Sequence, residues 1–61
     1  MQERELEVLA LAAEGKSFDE IGTSLGIARL TVQYHLQNAM LKLGATSKIT
    51  AVAKAIRFGL I

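Results

Sequence analysis

The sequence predicts an all-α fold: a four-helix bundle, one domain over residues 1–61, that contains a helix-turn-helix. Three observations predict it. Apolar residues recur three and four positions apart in four separate stretches. Gly15, Gly26 and Gly44 divide those stretches, Gly59 follows the last, and there is no proline. Only Gly26, Ile27 and Ala28 separate the second stretch from the third, and a three-residue turn containing glycine is the spacing of a helix-turn-helix.

The first helix is predicted over Gln2 to Glu14, with Leu6, Leu9, Ala10 and Ala13 at helical spacing and Val8 and Leu11 widening the stripe. Acids crowd its first turns, as the helix dipole favours, and Gly15 follows as a stop. Ser17 with Glu20 three residues later forms a capping box that opens the second helix, Phe18 to Leu25. Its inner side offers Phe18, Ile21, Gly22 and Leu25. The third helix runs from Arg29 to Leu43, with Val32, Leu36, Ala39, Met40 and Leu43 on one face. Ser47 caps a fourth over Lys48 to Phe58, where Ile49, Val52, Ala53 and Ile56 are in register.

The totals bound the function. A core built from 61 residues leaves about 3–5 kcal/mol of net stability without staples. There is no cysteine and a single histidine, His35, so disulfides are excluded and no metal site is expected. No apolar run approaches the ~20 residues that span a bilayer, and no leader pattern is present, so a cytoplasmic protein without a membrane partner is expected. The chain offers no nucleophile–base pair, no acid dyad and no glycine-rich phosphate loop. No catalytic residue, cofactor or small-molecule ligand is therefore expected, and the chain does not read as an enzyme.

The net charge is only +1, but it is polarised. Every acid lies in residues 1–20, which sum to −4, whereas residues 21–61 carry five cations and no acid. That half can meet phosphates. Half of the chain, 51%, is hydrophobic, a rich apolar supply for so small a domain, which fits either an apolar contact surface or the ordinary exposure of scattered Ala and Leu.

Removing the core positions from the third helix leaves a second face. Arg29, Gln33 and Gln37 stand at steps of four, with Leu30, Tyr34, Asn38 and Leu41 beside them. Arginine and glutamine hydrogen-bond base edges, and apolar groups meet the thymine methyl. The same pattern also fits a bundle with a solvated glutamine-rich face.

The chain closely resembles the LuxR-type (NarL/FixJ, GerE) helix-turn-helix DNA-binding domain of bacterial transcription regulators. The matching features are the Arg4-Glu5 opening with Glu7-Val8-Leu9, Glu14-Gly15-Lys16-Ser17, Glu20-Ile21, Leu25-Gly26-Ile27, Thr31-Val32 with His35-Leu36, Asn38, Lys42-Leu43-Gly44, Ala51-Val52 and Gly59-Leu60-Ile61. Each piece alone is weak, but in order they cover essentially the whole chain. Gly15-Lys16-Ser17, the run from Tyr34 to Asn38 and the run from Gly44 to Lys48 look most like the quorum-sensing branch, which binds acyl-homoserine lactones.

The resemblance implies double-stranded DNA as partner, with Gln33, Tyr34 and Gln37 reading the major groove. Arg29 and Leu30, unusual for the family, join them as candidate base contacts. Tyr34 could meet a base, stack along the sugar–phosphate wall or pack. Thr31, Lys16, Ser17, Lys42 and Lys48 are the expected phosphate partners, which fix register and carry no sequence information. Ser17 also has its capping role. Lys54 and Arg57 read as solvated charges, His35 as a half-buried residue packing against the first helix or else a phosphate contact, and Glu5 as a structural acid paired with a cation or helix end.

Family members pair through the fourth helix. The resemblance therefore implies a homodimer on a near-palindromic site, with Ile49, Val52, Ala53 and Ile56 at the interface and RNA polymerase as a further partner. A signal-receiving part, a phosphorylatable receiver or a lactone-binding domain, would lie outside these residues unless the regulator is free-standing. Three departures carry a cost. Ala28 and Gln2 stand where relatives place Ser or Thr caps, and Gly22 where they place Ala, each worth about 1 kcal/mol. The competing reading is a small helical interaction module that modulates a related regulator without touching DNA.

Overall fold

The computed structural model describes all 61 residues. Four helices follow in order: α1 Glu3–Ala13, α2 Phe18–Leu25, α3 Arg29–Leu43 and α4 Lys48–Arg57, with no strand. None is long and apolar enough to cross a membrane. α3 is the axis of the bundle and packs against the other three. The core is Val8, Leu9, Ala12, Ile21, Val32, Leu36, Ala39, Ala51 and Ala55, ringed by half-buried Leu11, Phe18, Leu25, Ile27, Met40, Leu43, Ala45 and Val52.

The helix ends follow from their residues. Ser17 Oγ accepts from the Glu20 amide at 3.1 Å, while Glu20 Oε1 accepts from the Ser17 amide at 2.8 Å. Ser47 Oγ accepts from the Thr50 amide at 3.1 Å. Ala28 has the extended backbone of an N-cap but no side chain to bond, so α3 starts uncapped. Gly26 and Gly44 close α2 and α3 in the left-handed conformation, which costs glycine nothing sterically.

Two of the expected core faces are wrong in phase. On α1 the buried positions are Glu5, Val8, Leu9 and Ala12; Leu6 and Ala10 are half-buried and Ala13 is exposed. The stripe begins on a carboxylate, which hydropathy cannot score as core. On α4 the expected Ile49, Val52, Ala53 and Ile56 do not form the inner face. Ala51 and Ala55 are buried, Val52 is half-buried, and Ile49, Ala53 and Ile56 are exposed, Ile49 by 82%. Alanines four apart let the α4 backbone lie close against α1 and α3, where a larger side chain would hold it off.

Gly22 also differs from its expectation as a simple loss of helix propensity. A Cβ there would stand 2.7 Å from the Ile27 carbonyl oxygen, and the Ile27 amide donates to the Gly22 carbonyl at 2.9 Å. The turn folds tightly back on α2, and the bare backbone of Gly22 makes that approach possible.

Candidate nucleic-acid interface

α3 buries Val32, Leu36 and Ala39. At about 100° per residue, the opposite side is a crest of Leu30, Tyr34, Gln37 and Leu41. All four are exposed, Leu30 by 76% and Leu41 by 80%. No acidic side chain lies on α3. The whole crest therefore offers amide, phenol and apolar groups to a partner without placing a negative charge before it.

The flanks of the crest differ. On one flank Gln33 and Gln37 line an open groove of about 400 Å³ with Phe18, Leu36, Met40 and Lys48. Lys48, the first residue of α4, holds its ammonium 4.9 Å from the centre of the Phe18 ring, a cation–π contact that fixes a charge beside the two glutamines. Arg29 opens α3 and leans toward α2, its Nη1 3.7 Å from Asp19 Oδ2 with both side chains mostly exposed. The fold thus sets Arg29, Gln33 and Gln37 of α3 and Lys48 at the start of α4 along one edge. Lys16 lies beside α2 in a shallow groove with Asp19, Glu20, Thr23 and Ser24, and Ser17 is the N-cap of α2.

Helical rotation puts Thr31, His35, Asn38 and Lys42 on the other flank, toward α1. The Lys42 ammonium donates to both oxygens of Glu5, at 2.8 and 3.0 Å. Glu5 is only 2% exposed, and its Oε1 also accepts from the Gln2 amide at 3.2 Å. The Lys42 hydrogen bonds, aided by that amide, hold the Glu5 carboxyl below its ordinary value against the opposing effect of burial. Lys42, expected among the phosphate partners, is committed to this pair. Glu5 is structural as expected, serving a cation and a helix end together. His35 is half-buried, its Nδ1 buried without a hydrogen-bond partner. Its ring stands edge-on to Tyr34 with centroids 5.6 Å apart.

Sequence reasoning missed three contributors. Phe18 reads as core but also supports Lys48. Asp19 has no role in the sequence reading beyond its charge, yet it reaches Arg29. Lys54 reads as solvated, yet its ammonium donates to the Leu43 and Gly44 carbonyls, both at 3.1 Å, and so caps α3. Its place in the last turn of α4 gives no sign of that role, because the carbonyls it satisfies belong to the preceding helix. Nothing in the sequence pairs Phe18 with Lys48.

A glycine turn with an exposed, acid-free second helix defines a helix-turn-helix protein. A family model described as "Bacterial regulatory proteins, luxR family" (GerE) matches residues 2–55. The chain is 53% identical over 58 residues to the transcriptional activator protein SolR of Ralstonia nicotianae, covering 95% of this chain and 25% of that protein. It is 44% identical to the transcriptional activator protein LuxR of Aliivibrio fischeri over 61 residues, 100% of this chain and 24% of that one. The solved structure of the transcription factor GerE superposes with a TM-score of 0.92 at 30% identity, covering 97% of this chain and 88% of that one. The chain belongs to the luxR family of bacterial regulatory proteins, and it is a DNA-binding helix-turn-helix domain of bacterial transcription regulation. It spans about a quarter of the length of these curated relatives.

Proposed function

We propose that α3 enters the major groove of duplex DNA and reads sequence with Gln33, Tyr34 and Gln37, joined by Arg29 and Leu30. The observation that carries this reading is the crest of α3, exposed along its length and free of acids, with Arg29 and Lys48 at its edge. Glutamine can pair bidentately with adenine N6 and N7, arginine with guanine O6 and N7, and Leu30 can meet a thymine methyl. Lys16, Ser17, Thr31 and Lys48 contact phosphates and set the register, without Lys42. Ser17 can cap α2 through its Oγ and still donate its hydroxyl hydrogen to a phosphate.

Two copies pair through α4, a reading supported by the exposure of Ile49, Ala53 and Ile56 with Val52 half-buried beside them. The pair addresses two half-sites of a near-palindrome. Relatives bear names such as the quorum sensing-dependent transcriptional regulator VjbR of Brucella ovis. That likeness supports extending the proposal to quorum sensing-dependent regulation, with a cytoplasmic location and RNA polymerase as a further partner as part of the same proposal.

The test is selection of duplexes from a random pool by the purified chain, then fluorescence anisotropy on the enriched and a scrambled duplex at two salt concentrations. Preference for the enriched duplex that persists at the higher salt supports the reading, with phosphate-driven affinity falling on both. Gln33→Ala should weaken the enriched duplex by about 1–3 kcal/mol and leave the scrambled one nearly unchanged. No binding to either duplex by a chain that is helical by circular dichroism would favour the protein-interaction module.

A further inference from the structure

We propose that Asp19 is a specificity-determining residue of this domain: it holds the Arg29 guanidinium away from phosphates and releases it to a better acceptor at the cognate site. The inference rests on the DNA-reading role of α3. Arg29 is the first residue of α3, at a helix end with no side-chain cap and no acid in its first turn. A cation there opposes the positive end of the helix dipole. Asp19, in the first turn of α2, is the anion that the turn brings within reach, with Oδ2 3.7 Å from Nη1.

The geometry is that of a loose latch. The contact is one long approach between side chains 59% and 73% exposed, with no hydrogen bond between them. Such a pair is weak and screened by salt, so it yields readily to a stronger partner. A phosphate competes with Asp19 for the guanidinium, and the carboxylate beside it repels the phosphate. Guanine also takes the guanidinium fork at two acceptors, but it is uncharged, so the Asp19 carboxylate repels it far less. Asp19 therefore costs a scrambled duplex more than it costs a site that presents such a base to Arg29.

The experiment uses the whole chain, Asp19→Asn, Arg29→Ala and the double variant, on the enriched and scrambled duplexes across a salt series. The Asp19→Asn change keeps a residue suited to a helix start, and circular dichroism checks each fold. In Asp19→Asn, affinity for the scrambled duplex should rise about two- to fivefold. Its logarithmic salt slope should steepen by roughly 0.9, one added phosphate contact. The enriched duplex should gain less, so the ratio between the two falls. In the Arg29→Ala background the same change should leave the ratio and the slope where they were. An equal gain on both duplexes, or an undiminished effect without Arg29, overturns the proposal and leaves the DNA-reading role standing. Absence of DNA binding by the unmodified chain overturns both.

Discussion

Lys42 and Glu5 show how a charge is retained in a core this small. The carboxylate is almost fully enclosed and would carry a large desolvation cost alone. Two hydrogen bonds from Lys42 and one from the Gln2 amide offset it, and they tie the start of α1 to the end of α3. Lys42→Met should cost about 2 kcal/mol, between a fully buried pair and an exposed one, read by urea denaturation. Because the folded carboxyl lies below its ordinary value of 4.5, its contribution is complete above that value and is lost as pH falls through the folded one. Lys42→Met removes the largest cause of that lowering, so its stability should fall less steeply on acidification from about pH 6 to pH 3. Ala28 presents the opposite case, a place where nothing is satisfied. Its backbone already has N-cap geometry, so Ala28→Ser should add about 1 kcal/mol, visible as a Tm increase of roughly 4–8 °C in a domain of this size.

The helices themselves divide into those whose inner face hydropathy locates and those whose inner face it misplaces. For α3 the expected stripe is the observed one, because Val32, Leu36 and Ala39 form its only wholly apolar side. For α4 the large residues drew the prediction outward. Ile49 and Ile56 outweigh Ala51 and Ala55 in apolar area, yet the alanines alone fit the close approach to α1 and α3. Ala55→Leu should therefore destabilise by about 1–3 kcal/mol through overpacking. Ile56→Ala should stay within about 0.5 kcal/mol, and thermal melts of the two variants distinguish the observed phase from the expected one. The α3 end carries a similar lesson. Lys54, eleven residues beyond Leu43, satisfies carbonyls that the helix leaves open, so α4 stabilises α3 through a polar cap as well as through packing.

In the molecule as a whole, the apolar surplus noted in the composition sits outside the core. Ile49, Ile56, Phe58, Leu60 and Ile61 are exposed on α4 and the residues after it, Leu30 and Leu41 on α3. Under the proposed reading the first group would meet a second copy of the chain and the second a nucleic-acid groove, so that pairing and reading would fall on different helices. Ile49→Glu should leave the melting temperature nearly unchanged, since its side chain touches little of its own core. It should reduce two-copy complexes on a duplex with two half-sites in favour of single-copy ones, as sedimentation velocity would record.

The four helices, their glycine stops, both serine caps and the exposed face of α3 were legible in the order of residues. All of them are local: they depend on neighbours within about four positions, where helical periodicity and backbone capping operate. The partners of Glu5, Arg29, Lys48 and Lys54, the inner faces of α1 and α4, and the close approach at Gly22 were not. Each is settled by groups that meet only when helices pack, across 37 residues for Glu5 and Lys42. Side-chain volume and the desolvation of charge decide those meetings, and neither has a signature at short range along the chain.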